Sequence, residues 1–286
     1  MNIFFESYIV GRITNIAILI VSMLLLTFNV TKVDTNQPKI DLTDYALVFN
    51  EEFEGDELNR YVWRNHNEEG VRKGGYWSLE QVSVSDGNLH IKTEYKDDGK
   101  FGPGWYTGAI STDGLWAQKY GYFETRCILP KGAGLWSAFW LMTPSVANVD
   151  GSGRDGTEID VFESPYYAFP KNNKVTLNLH YDGYSVNSKY KNVKIVSLDN
   201  DPYENYNTYG VLWTEDSYTF YVNGYKIAET SYGGVSQVPQ YPILSCEVDG
   251  VNGEPTYGWS KIITDNGSND FTADFVVDYV HIYQAK

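Results

Sequence analysis

From Leu47 onward, apolar and polar residues alternate in short runs, and the runs are broken by Gly, Asn and Asp. A period of two is the strand period, because successive side chains on an extended backbone point to opposite faces. Gln81-Val82-Ser83-Val84 and Leu89-His90-Ile91-Lys92-Thr93, joined by Asp86-Gly87-Asn88, predict a hairpin. Further strands are predicted at 106–112, 119–129, 135–143, 157–164, 174–181, 208–214, 217–223, 225–230, 241–247 and 274–284. No segment sustains a helical period. The pattern predicts an all-β chain, a two-sheet antiparallel β-sandwich forming one domain over 44–286.

The first thirty residues differ. Arg12 precedes an apolar run from Ile16 to Phe28, which suits a secretory signal core better than a full membrane span. No small-x-small cleavage site follows it, so residues 1–30 read as a signal peptide or an N-terminal anchor, and the chain as exported. Residues 31–43, rich in Thr, Lys, Asp, Asn and Gln, read as a polar linker. Cys127 and Cys246 are the only cysteines; they could pair, but neither spacing nor context requires it.

Composition narrows the partners. A net charge of −15 leaves no basic field for nucleic acid or an anionic membrane, and leans against heavily sulfated glycans. The 24 Tyr and 8 Trp against 3 Met suit strands and a sugar-binding surface, although most such rings belong in a core. The four histidines share no metal-ligand spacing, so no catalytic zinc is expected.

The stretch with the most chemistry is Thr157-Glu158-Ile159-Asp160-Val161-Phe162-Glu163-Ser164. On a regular strand, Glu158 and Asp160 share a face, but Phe162 would join them and Glu163 would be buried. An unpaired buried carboxylate is costly, so a β-bulge at Val161-Phe162 is predicted, which returns Glu163 to the acidic face. Two Glu flanking an Asp on one strand suit glycoside cleavage with retention, where one carboxylate attacks and the other donates a proton. Mutual repulsion keeps the proton on one of them. The plain alternative, a solvated acidic strand face, fits poorly with Ile159, Val161 and Phe162 interleaved.

Glu-Ile-Asp-Val-Phe-Glu resembles the signature of glycoside hydrolase family 16, in the bulged form of its laminarinase-like branch. Other blocks resemble that family in order from about 45 to 284. They include Phe49-Asn50-Glu51-Glu52-Phe53, Tyr120-Gly121-Tyr122-Phe123-Glu124-Thr125-Arg126, the Leu135–Met142 aromatic strand, Tyr209–Thr214 and Val277–Gln284. The resemblance implies a jelly roll with a concave cleft, Glu158 as nucleophile, Asp160 as its helper and Glu163 as acid/base. It also implies that His180 borders the acid/base, and that a structural Ca²⁺, if bound, would involve Glu52, the Gly87 carbonyl and Asp278.

Trp136, Ala138 and Trp140 share one face of their strand, opposite Leu135, Phe139 and Leu141, so the two Trp are candidates for stacking on a sugar. Packing under a loop is the alternative. Trp105 and Tyr106, after Gly102-Pro103-Gly104, would line the cleft or anchor that loop. The Arg that many laminarinase-like members carry in the strand reading Tyr106–Ser111 is absent here. The expectation is therefore a monomeric retaining endo-β-glycanase acting on a polysaccharide, with β-1,3- or β-1,3/1,4-glucan first. An endo-β-galactosidase on a neutral galactan or host glycan, a carbohydrate-binding protein on the same scaffold, and a transglycosylase are the alternatives.

Overall fold

The structure is a computed structural model that describes residues 30–168 and 173–286. The apolar run at 16–28 lies outside the described residues. Two large sheets enclose one core. An eight-stranded sheet runs in the order Val30–Lys32, Lys189–Ser197, Lys174–Tyr181, Glu158–Glu163, Leu135–Met142, Tyr241–Val248, Ala109–Ser111 and Arg64–Asn65. An eleven-stranded sheet packs against it, centred on the long strand Thr272–Ala285 between Gly121–Ile128 and Asn88–Lys96. Pairing is antiparallel except where Val30–Lys32 meets 195–197 and Tyr76–Trp77 meets 106–107. Inward residues from both sheets, such as Phe139, Ile159, Phe162, Val211 and Phe275, form one buried cluster. The predicted sandwich is present.

Three details separate the strands from their predicted bounds. Asp86 (φ 52°) and Gly87 (φ 69°) both take left-handed backbone, the pair of values a two-residue hairpin turn requires. The strand expected at 106–112 is two strands broken at Gly108, where the chain passes from one sheet to the other. A Cβ on Gly108 would lie 2.8 Å from Val82 Cγ2, so any side chain at the corner would have to displace Val82. Lys189–Ser197, absent from the prediction, pairs with Lys174–Tyr181 over its whole length. Its lysines hid it, yet lysine suits the stretch 189–194, which Val30–Lys32 leaves unpaired on its outer side.

The segment 31–43 does not hang free. Thr31 and Lys32 extend the eight-stranded sheet, and Ile40 donates its backbone N–H to Gly224 O at 2.8 Å. Polar composition marked a surface path, and backbone hydrogen bonds fix that path. Cys127 and Cys246 are buried, unbridged thiols on different sheets.

Candidate active site

The bulge expected at Val161-Phe162 is present. On the Leu135–Met142 strand, Trp140 faces Asp160 and Phe139 faces Phe162, so Val161 is the extra residue. Phe162 turns into the core, 4.3 Å centroid to centroid from Tyr209, and Glu163 comes back opposite Ala138. Glu158, Asp160 and Glu163 consequently line one groove of about 680 Å³ with Trp136, Trp140 and His180.

The neighbouring strand supplies the partners. Register places His180 opposite Glu158, Asn178 opposite Asp160 and Thr176 opposite Glu163. His180 Nε2 lies 3.5 Å from Asp160 Oδ2 and 3.9 Å from Glu158 Oε1. Asn178, itself buried, donates to Glu163 Oε2 at 2.5 Å, while Asn192 donates to Asn178 Oδ1 at 2.8 Å and so fixes its amide. Tyr184, from the loop after this strand, donates its hydroxyl to Glu158 Oε2.

These surroundings treat the two Glu differently. Burial, then the adjacent Asp160, pushes Glu163 well above the usual carboxylate range; the Asn178 hydrogen bond only partly opposes this. Burial also raises Glu158, but the His180 charge, the Tyr184 hydrogen bond and the Arg72 charge all pull it back. Burial and the Glu158 charge raise Asp160 strongly. Of the two Glu, Glu163 is the one built to keep a proton.

Trp140 is aimed by its indole N–H, which donates to Ser245 Oγ at 3.1 Å. Trp136 meets Trp259 edge to face at 5.4 Å, with Trp259 45% exposed on the loop after 255. Both of the predicted tryptophans therefore border the groove. Trp105 and Tyr106 do not. Trp105 is buried against Tyr95 and Phe271, and Tyr106 stacks on Tyr76. The Tyr106 hydroxyl accepts the Phe101 N–H and donates to Gly102 O, so it anchors the loop at 99–102. All four residues from Gly104 to Thr107 are buried, and neither ring is among the residues that line the groove.

The calcium ligands implied by resemblance do not fit as they stand. Thr272–Ala285 changes partner from the 88–96 strand to the 45–51 strand next to Asp278, which brings Glu52 and the Gly87 turn to the same region. There Asp278 is ion-paired with Arg126, and Glu52 Oε1 lies 2.7 Å from His281 Nε2. Calcium takes oxygen ligands, and both carboxylates are engaged by nitrogen. Elsewhere among the described residues, Glu158, Asp160 and His180 could each offer a ligand atom within 4.8 Å of the others. A cation there would occupy the carboxylates the chemistry needs, so no step is assigned to it.

Several groove residues carry no sequence signal. Arg72 and His66 come from strands or turns too short to predict, and Tyr184 and Trp259 come from loops. His66 sits edge-on to Trp140 at 5.3 Å, and burial with the Arg72 and Arg64 charges lowers its pKa to about 4. It is a neutral ring on the groove wall.

The comparisons agree with this geometry. The family model for the GH16 domain of beta-porphyranases A–D matches residues 47–285. An endo-1,3-1,4-beta-glycanase, ExsH, of Rhizobium meliloti is 30% identical over 62% of this chain and 33% of its own length. A keratan-sulfate endo-1,4-beta-galactosidase of Sphingobacterium multivorum is 27% identical over 87% of this chain and 57% of its own. The laminarinase catalytic domain of Thermotoga maritima shares the fold at a TM-score of 0.69, with 23% identity, covering 85% of this chain and 99% of that domain. The chain thus spans between a third and some three-fifths of these two curated relatives. With its bulged carboxylate strand and a match that runs the length of the sandwich, the chain belongs to glycoside hydrolase family 16.

Proposed function

We propose that this protein is a retaining endo-β-glycanase that cleaves internal linkages of a polysaccharide. Glu158 attacks the anomeric carbon, and Glu163 protonates the departing glycosidic oxygen. Glu163, now ionised, then takes a proton from the water that releases the sugar. Asp160 and His180 orient and tune Glu158 between these steps. The observation that carries this reading is the unequal treatment of the two Glu. Burial raises both, but a histidine, a phenol donor and an arginine draw Glu158 back, while Asp160 pushes Glu163 further up.

The first substrate is β-1,3- or mixed β-1,3/1,4-glucan, in line with the Rhizobium relative and the laminarinase fold. An endo-β-galactosidase is the second reading, favoured by the galactosidase relative, which aligns with more of this chain. The apolar run at 16–28 supports export, and we read the protein as a monomer. Product release from laminarin, lichenan, agarose and a poly-N-acetyllactosamine glycan decides between the two. Oligosaccharides from laminarin or lichenan are expected; products from the galactose-containing polymers alone would make this an endo-β-galactosidase. Binding with no products from any polymer would leave a carbohydrate-binding protein.

Tyr184 gives the reading a pH signature. Glu158 must be ionised to attack, and its bond from the Tyr184 hydroxyl favours the ionised form. Without that donor the Glu158 pKa rises, so the acidic limb of kcat/KM moves to higher pH. Tyr184→Phe is therefore expected to lose activity first at low pH and to keep most of it on the alkaline side. A profile lowered equally at every pH would remove Tyr184 from this role.

A further inference from the structure

The groove holds a fourth carboxylate that the proposed chemistry does not use. Glu247 lies opposite Trp136 on the Tyr241–Val248 strand, two strands or about 10 Å across the sheet from the catalytic strand. Its side chain is 3% exposed. Arg72 donates to Glu247 Oε1 through Nε at 2.8 Å and again through a terminal nitrogen. Both bonds fall on one oxygen. Oε2 is buried and has no hydrogen-bond partner among the described residues.

Two contacts hold the pair in place. The Arg72 guanidinium lies over the Trp77 ring at 4.5 Å, and Trp77 Nε1 donates to Cys246 O at 2.9 Å. A buried acceptor left open costs stability unless something fills it, so an unfilled Oε2 on a rigid mount is a place for a donor from outside. Trp136, part-buried, stands opposite it and lines the same groove. A pyranose stacked on that ring would carry its equatorial hydroxyls at the rim, as donors toward Oε2.

We propose that Glu247, mounted by Arg72, is a sugar-binding carboxylate, and that Oε2 accepts from a free hydroxyl of a neutral pyranose stacked on Trp136. This rests on the glycanase reading and narrows it. A sulfate or carboxylate at that hydroxyl would remove the donor and set an anion against an anion, so the position selects an unsubstituted sugar. Two cations stand near, Lys73 with its Nζ 5.1 Å over Trp136 and Arg72, and Arg72 is already paired with Glu247. A charged site built around an unpaired donor would point the other way, but here the unpaired atom is an acceptor.

The test compares wild type with Glu247→Gln on laminarin and agarose, each before and after chemical sulfation. Gln keeps the shape and the carbonyl for Arg72 but turns the free position into an amide donor. On whichever unsulfated polymer is cleaved, kcat/KM is expected to fall about 10- to 100-fold in the variant, mostly through KM. The preference for unsulfated over sulfated polymer is expected to narrow at least tenfold. A variant within twofold of wild type on the unsulfated polymer overturns the inference. So does wild type that cleaves the sulfated form as readily, a comparison that needs no variant to fold. If no polymer is cleaved, the glycanase reading fails separately, and retardation in gels containing the same four polymers carries the test. Retardation by unsulfated polymer that Glu247→Gln loses supports the site, and equal retardation of both proteins overturns it.

Discussion

Glu158→Gln and Glu163→Gln are both expected to lose polysaccharide hydrolysis, and to part company on a substrate whose leaving group needs no proton. Removing the general acid costs about 10²- to 10⁴-fold, because a sugar alkoxide is a poor leaving group at neutral pH. A dinitrophenolate leaves unaided. With a dinitrophenyl glycoside of the oligosaccharide that wild type releases, Glu163→Gln should still form the glycosyl-enzyme at near the normal rate. It would then stall, since the water has lost its base. A burst of dinitrophenolate and a protein mass raised by the whole oligosaccharyl group are the expected readings. Glu158→Gln should give neither. Equal behaviour of the two variants on that substrate would show that the roles are not divided as assigned.

The same division sets the pH limits. In the proposed roles Glu158 must be ionised, so activity falls as pH drops through its pKa; Glu163 must be protonated, so activity falls as pH rises through its own. Burial and Asp160 hold Glu163 well above the ordinary carboxylate range, which leaves a window in which both conditions hold. Asn178 donates to Glu163 and slightly narrows that window, but it also fixes the carboxyl toward the groove.

The parts of this site that could be read from sequence are those governed by local alternation. The Glu158–Glu163 strand, its bulge, the paired Trp136 and Trp140 and the strand carrying His180 all follow from which residue types tolerate burial at a period of two. Trp105 and Tyr106 misled because alternation cannot tell a strand with one wet face from one covered on both sides, and theirs is covered. Arg72, Tyr184 and Trp259 were invisible for a different reason. Each reaches the groove from a turn or loop whose path is set by tertiary packing. Gly74, for example, lies so close to the Asp249 backbone that a Cβ would sit 2.3 Å from its carbonyl oxygen. Such close approaches hold Arg72 over Glu247, and no local pattern encodes them.

The bulge itself yields the other large expected effect. Phe162→Ala removes a fully buried ring packed on Tyr209 and Phe275, and cavities of that kind cost about 3–5 kcal/mol. In a chain of this size that is a fall in Tm on the order of 10 °C. The loss should reach the chemistry, because Phe162 in the core is what forces the extra residue and returns Glu163 to the groove. Deleting Val161 is the revealing control. On the Leu135–Met142 strand, Asp160 and Glu163 already face Trp140 and Ala138, two positions apart, as they would on a regular strand. Removing the extra residue therefore leaves Phe162 inward and Glu163 toward the groove, at the expense of one buried Val side chain. Hydrolysis within about tenfold of wild type is expected for the deletion, with a smaller fall in Tm than for Phe162→Ala. If the deletion abolished activity in a folded protein while Phe162→Ala kept it, the bulge would be positioning Glu163 by some means other than the inward pull of Phe162.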